Sequence, residues 1–411
     1  MARILQVCNT DFYLLKFLAP LVRALVRAGH EVDCVCEGSS PELIRALPGV
    51  RIQAMQFPRA GSPREFAAAI ETLRQIIRAG SYDCVDGHNR NGSIVSRVAA
   101  WLEATPVNLY TAHGFYFHDD QGRAQREATI ALEAALAKIT DYTFSQSTED
   151  AELMIGRRLI SADRLAIIGN GIDTGRFSPR SDRAALEAEL SLQAGRFRIA
   201  STGRVVKGKG FVDLLRAFHL LHQERPESEL VVIGGNIDQD ISPYAQEFLA
   251  EVEQRGLKGA VRLTGMTDAV EKYLACTDVF VLASYREGLP RALLEAMSMG
   301  LAVAATEIRG CKEAVIDGNS GRLFPPKDVE ALAGILRDFG AKPEERARLG
   351  AAARARVLER FDERDYVRRQ VDGIGRLLNE AAGRRRRVVP RRMLGRGLSL
   401  ASMAGRLLSS L

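Results

Sequence analysis

Along most of its length the sequence alternates short apolar runs with longer segments of helical period, and this restricts the chain to parallel sheets wrapped by helices, the α/β class. A first series predicts strands at 4–8, 31–36, 51–57, 83–86, 107–112, 142–145 and 165–168, with helices over 14–28, 64–78, 92–102, 123–139 and 148–156. The pattern pauses over 173–195, a polar stretch with Pro179 and one short helical segment. A second series then predicts strands at 198–202, 230–233, 261–263, 279–282 and 302–305 and helices at 211–223, 243–255, 268–275 and 290–299, while 343–382 reads as two closing helices. Its 411 residues suit two or three domains at roughly 100–200 residues each. The expected division is a first Rossmann-like domain over 1–174, a linker over 175–196, a second such domain over 197–360, a closing helix over 361–383 and a basic tail over 384–411. In sheets of this kind ligands bind beyond the carboxyl ends of the strands, so the loops that follow strands should carry the chemistry.

Composition narrows the function classes. Of the residues, 46% are hydrophobic and 26% charged, the balance of a globular enzyme. The formal charge is +6, but eight arginines and no acid lie from Arg384 onward; removing those eight leaves −2 for residues 1–383. The body is therefore nearly neutral, and nucleic acid is not an expected partner. Cys8, Cys34, Cys36, Cys84, Cys276 and Cys311 show no C-x-x-C pair, which fits buried thiols in a reducing cytoplasm. Asp11 interrupts any signal-peptide core, and no run reaches 18 apolar residues, so neither a leader nor a membrane span is expected.

Two loops stand out. The first, Gly203-Arg204-Val205-Val206-Lys207-Gly208-Lys209-Gly210, joins a strand to a helix. Its glycines admit an anion to the backbone, the helix N-terminus offers N–H groups, and Arg204 and Lys209 add charge. The spacing approaches a Walker A loop, but Gly210 stands where Ser or Thr must hold magnesium, so an ATPase is disfavoured. A basic turn capping a helix is the plainer alternative. The second loop, Ser284-Tyr285-Arg286-Glu287-Gly288-Leu289-Pro290, also lies between a strand and a helix, and Glu295 follows eight residues after Glu287. Backbone N–H groups of Gly288 and Leu289 can meet a phosphate oxygen, and each carboxylate can accept two hydrogen bonds from a sugar diol. Glu295 is either a solvated helix charge or, among Leu293, Leu294, Ala296 and Met297, an acid that wants a polar partner.

G-R-x-x-x-x-K-G followed by E-x7-E resembles the retaining glycosyltransferases of family 4, over roughly residues 3–380. Asn170-Gly171-Ile172-Asp173 with Phe177 and Pro179 looks like that family's interdomain segment. The run 284–300, Gly310-Cys311-Lys312-Glu313 and 318–324 are similar to the bacterial subgroup that extends glycans on polyprenyl-diphosphate lipids. The resemblance implies a GT-B fold, two Rossmann-like domains facing across a cleft, the first on the acceptor side and the second on the nucleotide-sugar side. It implies Arg204 and Lys209 as diphosphate ligands, Glu287 against the donor sugar, Glu295 against the ribose, and backbone contact to the base from the loop at Thr264–Asp268. His113, in Thr111-Ala112-His113-Gly114-Phe115, matches the family's active-site histidine, and His88 is an acceptor-side candidate. Where many members carry a Gly-Gly loop after the first strand, this chain has Asn9-Thr10-Asp11-Phe12-Tyr13.

The expected partners are thus a nucleotide-sugar donor, UDP- or GDP-linked, and a lipid-linked saccharide acceptor, with no cofactor. The pair Asp119-Asp120 lacks a D-x-D arrangement, so no metal is expected. The tail mixes Arg384–Arg387, Arg391 and Arg392 with Leu394, Leu398, Leu400, Leu407, Leu408 and Leu411, as a peripheral anchor on an anionic membrane would, at the inner face of the plasma membrane. Two other classes stay open: a nucleotide-sugar epimerase or phosphorylase on the same fold, and a non-catalytic protein recruited to the membrane.

Overall fold

The computed structural model describes residues 1–58, 62–114, 122–235 and 242–385. These form two compact units, Met1–Ile168 joined by the chain from Tyr366, and Gly169–Asp365.

In the first unit β1 (Arg3–Thr10), β2 (Glu31–Glu37), β3 (Arg51–Ala54), β4 (Cys84–His88), β5 (Val107–Ala112), β6 (Tyr142–Ser145) and β7 (Leu165–Ile167) form one parallel sheet in the order β3-β2-β1-β4-β5-β6-β7. Every residue of β4 and β5 is buried, because helices cover both faces of the sheet. On one face Leu5, Val7 and Val85 meet Leu73, Ile77 and Val95; on the other Ile4, Cys34 and Cys84 meet Leu18 and Val22. The second face also takes Tyr366, Ile374 and Leu377 from the last helix, Glu363–Arg385. From Tyr366 on that helix therefore belongs to the first unit, and Arg369 donates to the Ile168 carbonyl at 3.1 Å.

The second unit repeats the plan. Its strands β8 (Phe197–Gly203), β9 (Ser228–Gly234), β10 (Val261–Leu263), β11 (Val279–Leu282), β12 (Ala302–Thr306) and β13 (Arg322–Phe324) are all parallel, in the order β10-β9-β8-β11-β12-β13. In both sheets the strand order reverses beside the first strand, between β1 and β4 and between β8 and β11. A parallel α/β sheet opens a crevice at such a point.

The stretch 175–196, expected as a linker, lies wholly within the second unit. The reason is a buried arginine. Arg198 on β8 is fully buried and donates to Glu229 at 2.8 Å, to Glu187 at 3.0 Å, and to the carbonyls of Cys276 at 2.6 Å and Gln193 at 2.8 Å. Glu187 sits on the helix Arg183–Glu189, so the expected linker is fastened to the sheet, and Arg183 on the same helix adds a pair with Asp278 at 2.9 Å. The segment 169–174, expected in the first domain, likewise belongs to the second unit: Ile172 bridges Asp362, and Thr174 donates to the Asp362 carboxylate at 2.8 Å.

Removing the Arg198 guanidinium takes the buried cation from two carboxylates, leaving Glu187 with Arg183 at 3.0 Å and Glu229 with Arg262 at 3.4 Å, and strands two carbonyls. Arg198→Met should lower unfolding free energy by about 3–5 kcal/mol in urea denaturation. A loss below about 1 kcal/mol, the size of an exposed pair, would show that Arg198 does not hold this segment.

Candidate active site

The loops that follow β8 and β11 meet beside the reversal point of the second sheet. The chain leaves β8 at Gly203, makes a single 3-10 turn over Lys207–Lys209, and enters the helix Phe211–Glu224 through Gly210. Gly210 has φ +64°, and a Cβ there would sit 2.1 Å from the Ala283 carbonyl oxygen, so only glycine lets the two loops approach. They are then stitched together. Tyr285 N donates to Gly208 O at 2.9 Å, and Lys209 Nζ lies 2.5 Å from Glu287 Oε1. Ser284 Oγ donates to the same Glu287 oxygen at 2.7 Å, and Thr306 Oγ1 donates to the Ser284 carbonyl at 2.5 Å. Glu287 is held from two sides. A Cβ on Gly310 would overlap the Gly288 carbonyl oxygen, so the helix Arg309–Ala314 also presses its backbone against this turn.

Arg204 is exposed, and among the described residues its guanidinium makes no hydrogen bond or ion pair. Two expected anion ligands thus differ in state: Arg204 points to solvent and Lys209 is engaged by Glu287. The backbone of Leu289 is fixed by Asn170, whose Nδ2 donates to Leu289 O at 3.2 Å, and Arg291 donates to Gly171 O at 2.7 Å. The Asn170-Gly171 segment therefore positions the second loop. Thr264, at the end of β10, accepts from Gly234 N at 3.1 Å and donates to Gly265 O at 2.9 Å, which pins the turns after β9 and β10 beside Gly203.

Glu295 lies on the helix Arg291–Ser298, one face of which buries Leu293, Leu294, Ala296 and Met297. It is partly buried, and among the described residues no hydrogen bond or ion pair reaches it. Loss of hydration pushes its carboxyl up to about 7, against the pull of Arg291 and Arg176. The solvated-charge alternative does not fit this environment.

In the first unit, His113 follows β5 and His88 ends β4. His88 is fully buried, and its Nδ1 lies 3.0 Å from His113 Nε2. Tyr13 stands edge-on to the His113 ring, with centroids 5.2 Å apart. Asn9 explains the departure from a Gly-Gly loop: its Oδ1 accepts from Gly92 N at 2.7 Å and its N donates to Asn89 Oδ1 at 3.2 Å, tying β1 to the start of the helix Arg90–Leu102. Sequence reasoning missed the residues behind these groups, namely Ser284 and Thr306 behind Glu287, and Gln6 and Asp86 behind His88. An acid within the apolar strand at 83–86 was the one available signal. Phe115, Asp119, Asp120 and the tail beyond Arg385 lie outside the described residues. No described helix is long and apolar enough to cross a membrane.

Comparison with known proteins follows the same division. Residues 16–176 match the family model described as glycosyltransferase family 4, and residues 182–356 match that of glycosyl transferases group 1. A D-inositol 3-phosphate glycosyltransferase from Streptomyces avermitilis is 30% identical over 370 residues, 84% of this chain and 79% of that one. The chain belongs to the family 4 glycosyltransferases. Another relative of this glycosyltransferase is the UDP-Gal:alpha-D-GlcNAc-diphosphoundecaprenol alpha-1,3-galactosyltransferase of Escherichia coli, 28% identical over 64% of this chain and 68% of that one. Among solved structures, sucrose-phosphate synthase from Thermosynechococcus elongatus superposes with a TM-score of 0.78 at 22% identity, covering 93% of this chain and 100% of that one. Anabaena HepE in complex with UDP and glucose gives 0.77 at 19% identity, covering 91% and 100%. The fold of this glycosyltransferase is GT-B.

Glu295 makes the stability of the glycosyltransferase depend on pH. Its folded value of about 7 lies above the ordinary 4.5, so stability is full below about pH 4.5 and falls as pH rises to about 7. Glu295→Gln removes that loss. In urea denaturation the variant should be more stable than wild type at pH 8, by up to about 3 kcal/mol, and the gain should shrink steadily towards pH 5. A pH-independent difference would contradict the assignment.

Proposed function

We propose that this glycosyltransferase moves a hexose or N-acetylhexosamine from a UDP-sugar to a saccharide carried on a polyprenyl diphosphate, with retention of anomeric configuration, in the synthesis of a cell-surface polysaccharide or glycan. The observation that carries the reading is the meeting of the two loops after β8 and β11, with Lys209 paired to Glu287 and an exposed Arg204 in the same loop that makes no ion pair among the described residues. The donor and acceptor classes are supported by the Escherichia coli relative, whose name specifies both.

As the sugar departs, negative charge grows on the β-phosphate. Arg204, Lys209 as it yields part of its contact with Glu287, and the N–H groups of Gly288 and Leu289 supply positive potential where that charge develops. Glu287, already oriented by Ser284, accepts hydrogen bonds from sugar hydroxyls, and Glu295 accepts from the ribose diol. Because two side-chain cations balance the diphosphate, the reaction needs no metal. The basic residues beyond 384 hold the enzyme at an anionic membrane surface, on the inner face of the plasma membrane, where a lipid-linked acceptor is found.

The test is incubation with UDP- and GDP-sugars and polyprenyl-diphosphate saccharides, with mass analysis of the lipid product. Free UDP should appear only when acceptor is present; release without acceptor would contradict sugar transfer as the activity. Arg204→Ala should lower kcat/KM by roughly a hundred- to a thousandfold, the loss of about 2.7–4 kcal/mol of transition-state stabilisation. Chelation with EDTA should leave the rate unchanged, and a rate restored only by added divalent cation would refute metal independence.

A further inference from the structure

The Lys209–Glu287 contact joins two side chains that the proposed function gives to different parts of one donor, the diphosphate and the sugar. Lys209 Nζ lies 2.5 Å from Glu287 Oε1, and Ser284 Oγ donates to that same oxygen at 2.7 Å. Among the described residues Glu287 Oε2 accepts no hydrogen bond, and Lys209 Nζ has no other acceptor. The carboxylate therefore has room for further donors, and the ammonium has two more N–H groups to offer. Backbone contacts keep the two loops together beside this pair, through Tyr285 N on Gly208 O at 2.9 Å and the close approach of Gly210 to Ala283. The Lys209 stem crosses Gly203, its Cε 3.8 Å from where a Cβ there would stand, which sets the ammonium at the carboxyl end of β8. The pair can thus open and close by side-chain motion alone, while Ser284 keeps its hold on the carboxylate.

An anion that draws Lys209 away leaves Glu287 with one neutral donor, the Ser284 hydroxyl. A bare nucleoside diphosphate offers nothing in return, because ionised phosphate oxygens only accept hydrogen bonds. A nucleotide sugar does, since its sugar hydroxyls donate to Glu287 in place of the ammonium. A largely buried carboxylate short of donors is costly, so the two ligands differ by what the sugar restores. We propose that Glu287 holds Lys209 in a latch that the hydroxyls of the donor sugar release, so that the site favours nucleotide sugar over bare nucleoside diphosphate and reclaims Lys209 from the diphosphate once the sugar has left. This rests on the donor roles in the proposed function. Arg204, in the same loop, makes no ion pair among the described residues, so its attraction for a diphosphate does not depend on the sugar. Lys209 grips the nucleotide conditionally and Arg204 unconditionally.

Calorimetric titration of the full-length enzyme without acceptor, using UDP, UDP-glucose, UDP-galactose and UDP-N-acetylglucosamine, tests the latch. The wild type should bind the tightest of the three sugar nucleotides better than UDP. Glu287→Gln keeps the side-chain shape and an acceptor for Ser284, but removes the charge that competes for Lys209. It should bind UDP about fivefold more tightly than wild type does, ~1 kcal/mol, the upper end for an ion pair that water reaches. It should bind the chosen sugar nucleotide no better than wild type, so the margin in favour of the sugar nucleotide shrinks.

Loss of a negative charge also helps a nearby anion directly, and Lys209→Ala separates the two causes. In that background Glu287→Gln should change UDP affinity by less than about twofold, because the two residues act as one coupled pair. UDP affinity unchanged in Glu287→Gln, or a gain of the same size with Lys209 absent, overturns the latch. If neither wild type nor Glu287→Gln binds any of the four ligands, the UDP-sugar reading fails and takes the latch with it. An enzyme that transfers sugar from a UDP-sugar, yet whose UDP affinity does not respond to Glu287→Gln, defeats the latch alone.

Discussion

The contact between Lys209 and Glu287, 2.5 Å across the reversal point of the second sheet, is the constraint on which the donor-side geometry depends. It joins the loop after β8 to the loop after β11. Their closeness is possible because Gly210 accepts a left-handed backbone against the Ala283 carbonyl, and it is kept by Tyr285 N on Gly208 O. The pair also keeps a cation and a carboxylate together, each neutralising the other, at the loops that the proposed function assigns to the donor. Both side chains remain partly accessible, at 32% and 15%, so an incoming anion can compete for the lysine. Arg204, which no described group engages, is the other cation that the proposed function gives to such an anion.

Much of this architecture was legible because a parallel sheet covered on both faces demands continuous apolar strands, and those are the strongest signals in the chain. The strands at 107–112, 142–145, 261–263 and 279–282 occur with the expected bounds. Three of the short elements were not legible. The three-residue strand Arg322–Phe324 and the six-residue helices Pro41–Ala46 and Arg309–Ala314 have too few residues for a period to show, and tertiary contact decides them. The segment at 175–196 read as a linker because it is polar. Its polarity instead answers the buried Arg198, a residue of β8 that draws partners from several separate stretches of the chain. On the same ground the loops around Arg204, Lys209, Glu287 and Glu295 could be found from residue types and spacing, whereas Asp86, Gln6 and Ser284 could not. A group that orients another through a single hydrogen bond leaves no pattern along the chain.

Buried ionisable groups fall into two kinds in this protein, and the difference is informative. Arg198 is satisfied by two carboxylates and two carbonyls, so its burial serves cohesion. Glu295 has no such partner among the described residues, and its carboxyl is pushed up to about 7. A sequence optimised for stability alone would place a neutral side chain there, and positions that violate that rule are commonly sites of function.

The most direct test of the account is a crystal structure of the full-length glycosyltransferase with bound UDP. It should show the diphosphate within hydrogen-bonding distance of both the Arg204 guanidinium and Lys209 Nζ, with the Lys209–Glu287 contact lengthened beyond its present 2.5 Å. A nucleotide bound elsewhere, or a diphosphate from which Arg204 and Lys209 both turn away, would contradict it.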